Sequence, residues 1–450
     1  MSINYSLKSM IKRYVNTSCV LIVFAVLALV IANTPLKEWY FAFWENEVHL
    51  SIGGFNLFSH NGHAMSIITV INDFLMALFF LSVGLEIKRE ILVGELSSLK
   101  KAMLPIIGAL GGMIVPVMIF WLTCPSDPEM MRGVAIPMAT DIAFSLGVLS
   151  IFNSRVPTGL KIFLATLAVA DDLGGIAVIA LFYSSEMSVQ YLLLALACTI
   201  LLFVGNYAKV MKKSFYLIIG LGLWYSMLNS GIHATIAGVI VAFSIPASLK
   251  RGAPYYIERI RNNISSFPVT QVAGKHNTVI LSNEEIHKLK SIESAADKLI
   301  SPLQELEDRL HSFIGFFVIP IFAFANVGID FSSMEPSNII NGVGLSVICG
   351  LVLGKFIGVL TFSWAAIKCR IVTMPGGCNW KSFAAVCMLC GIGLTVSIFI
   401  ADLSYNNGGI TNIQLLNEAK LGILCGSLAS AIIGCIMLNM YLPKETAKVQ

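Results

Sequence analysis

Charge is what this sequence has least of. Of its 450 residues only 12% are Asp, Glu, Lys or Arg, against 56% hydrophobic. A soluble domain carries about twice that charged fraction, so an ordinary water-exposed surface is excluded. A disulfide framework is missing too. Of ten cysteines only Cys124 falls in a segment read as an outer loop. Cys387-x-x-Cys390 has a spacing seen in metal sites, but within an apolar stretch it reads as small packing residues. The chain has no Gly-Asp pair, which an intramembrane aspartyl protease would commonly carry. Asp171-Asp172 is followed by Leu173-Gly174-Gly175, with no acid one turn on, so a prenyl transferase is disfavoured as well. No cofactor is called for. The formal charge of +4 needs no nucleic-acid face to explain it.

What the chain does have is long apolar blocks. A bilayer core needs roughly 20 apolar residues per helical span. Candidate spans fall near Ser18–Ala32, Met65–Leu85, Met103–Thr123, Gly133–Phe152, Thr158–Phe182 and Val189–Gly205. Others fall near Phe215–Leu228, Gly231–Pro246, Phe313–Ile329, Gly342–Ile367, Phe383–Ala401 and Ala419–Met440. In lipid every backbone polar group must be paired internally, so the fold class is an all-α polytopic membrane protein of about twelve transmembrane helices. The whole chain, 1–450, reads as a single transporter domain. A cleaved signal peptide is the other reading of the first segment; the charge pattern makes it a first span.

The charges alternate along the chain. Lys8, Lys12, Arg13, Lys88, Arg89, Lys100, Lys101, Arg155, Lys161, Lys209, Lys212, Lys213, Lys368, Arg370, Lys381, Lys444 and Lys448 flank one set of span ends. The other loops carry mainly acids: Glu38, Glu45, Glu47, Asp127, Glu129, Glu186, Asp330, Glu335 and Asp402, with only Lys37, Arg132 and Lys420 as bases. Basic loops stay inside, which puts both termini in the cytoplasm of a multi-pass protein. Lys250–His311 is the one long polar stretch, read as a cytoplasmic loop at 250–311 holding an amphipathic helix from Ile286, capped at Asn283 and interrupted at Pro302. On the outer side, Glu47–Leu50 and Phe55–Phe58 around Gly53-Gly54 suggest a β-hairpin. It is either a plain ordered loop or an edge that pairs with a second chain.

Two spans are interrupted. Ala135-Ile136-Pro137-Met138-Ala139-Thr140-Asp141 breaks the fourth, and Thr140 is expected to cap the restarted helix. Cys390-Gly391-Ile392-Gly393-Leu394-Thr395 breaks the eleventh. Broken spans at matching places in two halves point to a binding site between inverted-topology repeats, here spans three to five and ten to twelve.

Ionisable groups at mid-span cost a few kcal/mol and are functional candidates by default. Asp73, Asp141, Asp171, Asp172 and Lys355 qualify. Adjacent helical residues point about 100° apart, so one carboxylate of the Asp171-Asp172 pair faces a water-filled funnel and the other a neighbouring helix. Two close buried carboxylates resist joint ionisation, while a hard cation favours the ionised form. Proton and Na⁺ then compete for the same oxygens. Lys355 must lose its proton or find a carboxylate, and Asp171 is the expected partner. Asp141 would offset the positive end of the restarted helix, and Lys355 the negative end of a half-helix in the eleventh span. Both could equally hold the bundle together; Asp73 leans structural. His233 is either a pH sensor or a hydrogen-bonded structural histidine. His60-x-x-His63 reads as solvated.

These residues resemble the NhaA family of sodium/proton antiporters. The likeness lies in Ala135-Ile136-Pro137-x-Ala139-Thr140-Asp141-Ile142-Ala143-Phe144, Leu160-Lys161-Ile162-Phe163-Leu164 and Asp171-Asp172-Leu173-Gly174. It continues in Phe79-Phe80-Leu81-x-Val83-Gly84-Leu85-Glu86-x-Lys88-Arg89-Glu90, Ser230-Gly231-x-His233-Ala234-Thr235 and Cys390-Gly391-Ile392-Gly393. The resemblance implies a bacterial inner-membrane protein that exchanges cytoplasmic Na⁺ or Li⁺ for more than one external proton, and so controls internal pH and sodium. It implies Asp172 as main cation ligand, Asp171 with Lys355 as the proton-responsive pair, and Thr140 and Asp141 at the crossing of the broken helices. A cytoplasmic pH-sensing cluster would map to Glu86, Arg89, Glu90, Glu307 and His311, with Asp308 standing where a histidine is usual. The hairpin at 48–58 resembles a family dimer contact, which implies a homodimer. A proton- or sodium-coupled transporter of an organic anion is the closest rival; it would need a basic site, and Lys355 is the only clear mid-span base.

Overall fold

The computed structural model describes residues 2–53, 55–60, 63–152, 155–183, 187–249, 252–267, 282–333, 342–407 and 410–442. Helix α1 (Ser2–Ala32) is followed by α2 (Lys37–Glu45), bent from it by 112°. Five short strands follow, β1 (Glu47–Val48), β2 (Ser51–Ile52), β3 (Phe55–Asn56), β4 (Ser59–His60) and β5 (His63–Ser66). Then come α3 (Ile67–Val93), α4 (Leu99–Thr123), α5 (Pro128–Met138), α6 (Ile142–Ile151), α7 (Thr158–Phe182), α8 (Val189–Tyr207), α9 (Lys213–Leu228) and α10 (Ile236–Ser244). Two polar helices, α11 (Ala253–Ser265) and α12 (Asn283–Asp297), precede α13 (Pro302–Asn326) and α14 (Val343–Lys368). The chain closes with α15 (Trp380–Leu389), α16 (Thr395–Tyr405), the strand pair β6 (Asn406–Asn407) and β7 (Ile410–Thr411), and α17 (Ile413–Tyr441).

Seven of these helices are long and apolar enough to cross a membrane, or nine if each of two bent pairs counts as one span, among the described residues. The two segments expected at Phe215–Leu228 and Gly231–Pro246 give helices of only 16 and 9 residues. The second starts late because Gly231 adopts a positive φ of 87° and Ser230 and His233 are used in a turn. The ion pairs keep to the two sides that the charge pattern separates. Arg89 meets Glu307 and Lys213 meets Glu305 on what we call the inner side; Lys37 meets Asp330 on the outer side.

Small residues let the central helices touch. A Cβ on Gly111 would lie 2.3 Å from the Gly358 carbonyl oxygen, and one on Gly358 2.2 Å from that of Gly111. Backbone therefore meets backbone between α4 and α14, as small residues allow in membrane bundles. That contact sets Lys355 beside Gly112 of α4. The same helix α4 packs through Gly108 against Leu167 of α7, one turn before the Asp171-Asp172 pair. Spans α3, α13 and α14 each contain one wide π-type turn, at Ile71–Leu75, Ile314–Val318 and Gly350–Gly354. Such turns rotate the side chains that follow them, and nothing in the apolar pattern announces them.

The interrupted spans are as expected in place, with one correction. Residues Arg132–Met138 tighten into a 3₁₀ turn ending at Pro137-Met138, and the chain then runs extended through Ala139. Asp141, not Thr140, is the cap: its φ/ψ of −87°/105° starts α6 and its Oδ1 accepts the Phe144 N–H at 3.0 Å. The Thr140 hydroxyl is needed elsewhere. In the second break, a Cβ on Gly391 would sit 2.4 Å from the Leu351 oxygen and one on Gly393 2.5 Å from the Ala139 oxygen, so only glycine fits at either.

The polar segments also differ in detail. The Gly53 hairpin forms, with Ser51 opposite Asn56 and Ile52 opposite Phe55 and Gly53 at φ 59°; Gly54 lies outside the described residues. A further sheet, β1-β5-β4, ties its base together and pairs His60 with His63. Helix α12 is capped by Ser282 in a reciprocal box with Glu285, one residue before the expected Asn283. Pro302 does not interrupt a helix but opens one: Ser301 caps α13, which runs unbroken in sequence from the polar loop into the membrane. Proline is well suited to that first position. Asp402 and Lys420, expected in outer loops, are instead buried near the ends of α16 and α17. The basic residues Lys8, Lys12 and Arg13 lie where side chains are not described, and Glu186, Glu335, Lys444 and Lys448 lie outside the described residues.

Candidate functional site

The two breaks cross each other. The Asp141 N–H donates to the Ile392 oxygen at 2.7 Å, the Thr140 hydroxyl to the Cys390 oxygen at 2.9 Å, and the Ser397 hydroxyl to the Ile136 oxygen at 2.8 Å. Carbonyls at the broken C-terminal end of each span are thereby satisfied by groups of the other. Helix α16 has no cap of its own at Leu394. Its first turn borrows Asp141, whose Oδ2 accepts the Thr395 hydroxyl at 2.9 Å and the Thr395 N–H at 3.3 Å. One carboxylate therefore serves two helix N-termini, where negative charge is favourable.

Asp171 and Asp172 lie mid-way along α7, only 1% and 5% exposed. They diverge as expected. Asp171 Oδ2 accepts the Lys355 ammonium at 2.5 Å and the Thr140 hydroxyl at 2.7 Å. Lys355 is fully buried, next to the C-terminal end of α15 and within electrostatic reach of Cys390. Asp172 instead lines a cavity of about 70 Å³ with Thr140, Asp141, Thr395, Ser82 and Glu86. Its Oδ1, and that of Asp171, are buried with no hydrogen-bond partner among the described residues. Buried polar atoms are nearly always paired, so the open Asp172 oxygen at this small cavity, with a second open oxygen on the adjacent Asp171, is an unfilled demand for a proton or a cation.

The cavity reaches the inner side. His311 and Glu86 line it there, and the Arg89 guanidinium bridges Glu90 at 3.0 Å and Glu307 at 3.2 Å. All five residues of the expected cluster are therefore gathered at one mouth. His233 is not among the cavity's lining residues: its Nδ1 hydrogen-bonds the Thr235 hydroxyl at 3.0 Å and its ring packs edge-on against Phe399 at 5.5 Å. Asp73 sits in the π-type turn of α3, remote from the Asp172 cavity, and within electrostatic reach of Asp402. All ten cysteines are free, and no group of three or more His, Cys, Asp or Glu positioned to hold a metal ion occurs among the described residues.

Sequence reasoning missed a second buried polar group. Asn72, Asn326, Asp402 and Lys420 are all less than a tenth exposed. The signal was present: Asp402 lies seven residues past Thr395, on the same face of the restarted helix.

The fold and site define a polytopic helical membrane protein with paired, crossed half-helices around a buried carboxylate centre, an arrangement belonging to ion-coupled carriers. The profile of the family described as Na⁺/H⁺ antiporter 1 matches residues 8–438. The chain is 50% identical over 445 residues to the Na(+)/H(+) antiporter NhaA of Bacteroides fragilis, covering 99% of this chain and 100% of that one. It is 48% identical over 448 residues to the protein of the same name from Bacteroides thetaiotaomicron, covering 100% of both. A relative of that name from Tolumonas auensis is 40% identical over 434 residues, 96% of this chain and 95% of its own. The chain belongs to the Na⁺/H⁺ antiporter 1 family, a family of transporters rather than enzymes.

Proposed function

We propose that this chain exchanges cytoplasmic Na⁺ or Li⁺ for external protons, with Asp172 as the principal cation ligand. The observation that carries the reading is Asp172, which lines a cavity barely larger than a few waters and keeps a buried Oδ1 without a partner among the described residues. A cation entering from the inner side meets Asp172 first, displaces its proton and draws on the neighbouring oxygens of Thr140 and Asp141. Asp171 and Lys355 are the second proton-responsive group. A cation seated beside Asp171 competes with the Lys355 ammonium for the negative charge of that carboxylate and so weakens the hold on the Lys355 proton. Release of that proton together with the one from Asp172 makes the exchange electrogenic. The crossed half-helices form the moving element, since their ends are held by side chains rather than by continuous helix.

The remaining assignments follow the same reading. Glu86, Arg89, Glu90, Glu307 and His311 set the pH response at the inner mouth, and His233 contributes to it from outside that mouth, through its ring contact with Phe399. The chain sits in the bacterial inner membrane with about twelve spans, both termini cytoplasmic, in two inverted repeats, with 250–311 as a cytoplasmic insertion. Two copies pair through the outer hairpin at 48–58. An organic anion as substrate is disfavoured, because Lys355 is already held by Asp171.

The test uses everted membrane vesicles with an imposed pH gradient and a pH-reporting dye. NaCl should collapse the gradient with the native chain and leave it standing with Asp172→Asn, although that variant inserts and purifies normally. Wild-type dequenching by Asp172→Asn would remove Asp172 from the ion site.

A further inference from the structure

The inner cavity ends at Thr395 and Val396, the first turn of α16. One turn further along the same face stands Phe399, and one turn beyond that Asp402, at spacings of four and three residues that keep all three on one face. Phe399 is fully buried and closes the way: its ring meets Phe80 at 5.8 Å, Phe322 at 6.4 Å and His233 at 5.5 Å. Past this aromatic barrier the surroundings turn polar again. Asp402 Oδ2 accepts the Asn72 amide at 2.8 Å, and Asn72 and Asn326 exchange hydrogen bonds at 2.8 and 3.2 Å. Asp402 Oδ1 accepts the Asn406 amide at 3.5 Å, Lys420 acts on Asp402 through its charge, and Asp73 lies in electrostatic reach. Burying a carboxylate and an ammonium near the end of a span is costly and marks an ion pathway by default. Four helices contribute: α3, α13, α16 and α17.

We propose that Asp402 is an outer way station for the transported cation, reached along this face of α16 when the Phe399 barrier opens. The inference rests on Asp172 as the central ion site. Seven residues of helix separate Thr395 from Asp402, about 10 Å along the axis, so one cation hop or a short water chain joins the two sites. Asn72 orients the Asp402 carboxylate, and the Asn326 amide orients Asn72. Lys420 keeps the affinity low. A station on a transport path must bind strongly enough to be entered and weakly enough to be left, and a neighbouring ammonium supplies the second requirement.

The two sides of the membrane give separate readouts. Everted vesicles present the cytoplasmic side of the full chain to added NaCl, and right-side-out vesicles present the outer side. Asp402→Asn should raise the half-saturating Na⁺ concentration on the outer side by about tenfold, the size of one lost charge-assisted contact, and leave the cytoplasmic value unchanged. Lys420→Gln should move the outer value the opposite way. A merely structural polar cluster predicts otherwise, since loss of either charge would lower the yield of folded protein and shift neither side selectively. Equal changes on both sides, no change on either, or shifts of the same sign in the two variants would overturn the proposal. Asp172→Asn in the same vesicles reports separately on the central site: exchange that survives it counts against Asp172, whatever Asp402 does.

Discussion

The two restarted helices look alike in backbone and differ in how they begin. Helix α6 has its own cap, the Asp141 carboxylate on the Phe144 N–H. Helix α16 starts at Leu394 without one and leans on the same Asp141 from across the crossing. The first break is stiffened by Pro137, whereas the second is opened by Gly391 and Gly393, which have no room for a side chain. Two broken spans therefore do not mean matching chemistry. The first half supplies all three carboxylates of the centre, Asp141, Asp171 and Asp172, and the second supplies the countercharge, Lys355. The halves are coupled through a few side-chain contacts, which is what a site that must change its access needs.

The largest break in that coupling is Asp171→Asn. It leaves the Lys355 ammonium buried beside a neutral amide, and removing one partner of a buried ion pair costs about 3–5 kcal/mol. The melting temperature of the purified protein should fall clearly, and Na⁺-induced proton release should be lost. An unchanged melting temperature would mean that Lys355 is not held there as a cation. Asp172→Asn, by contrast, replaces a buried carboxyl group that has no ion-pair partner and should leave the melting temperature level or higher.

A smaller break separates the two helix starts. Asp141→Ala uncaps both, and each lost cap is worth about 0.5–2 kcal/mol. Thr395→Val removes only the hydroxyl's contact with Asp141, leaving the backbone N–H contact at that position, and should cost about 1 kcal/mol. If one carboxylate truly serves both helices, the double variant should be no less stable than Asp141→Ala alone. Strict additivity in that double-mutant cycle would show the two starts to be independent. The smallest effect lies outside both halves. His311→Ala, at the inner mouth, should shift the pH profile of exchange and leave the maximal rate nearly intact. Loss of maximal rate at an unmoved profile would reassign His311 to structure.

Much of this was legible in the chain itself. The apolar blocks and the Asp171-Asp172 pair stand out because charge is rare inside apolar stretches, and the paired breaks because a proline, or two glycines one residue apart, interrupts a helix locally. The divergence of the two carboxylates followed from helical geometry alone. The errors share a cause. Thr140 and Asp141 are both good caps, and the choice between them depends on Asp171 drawing the Thr140 hydroxyl away. Pro302 can end a helix or begin one, and Ser301 ahead of it decides. Asp402 and Lys420 sit near apolar edges, where sequence cannot separate a solvated loop residue from one drawn inward by a partner on another helix.

The sequence by itself determined the class of protein, because burying backbone in lipid leaves a chain of such composition no choice but helices, and it determined where those helices break, because proline and paired glycines act locally. Only the tertiary structure decided the partners: that Lys355 meets Asp171, that Asp141 answers two helices at once, and that Asp402 meets Asn72 behind Phe399. Those choices depend on close approaches such as Gly111 on Gly358 and on π-type turns that rotate a side chain after the fact, and both arise from packing between segments far apart in the chain.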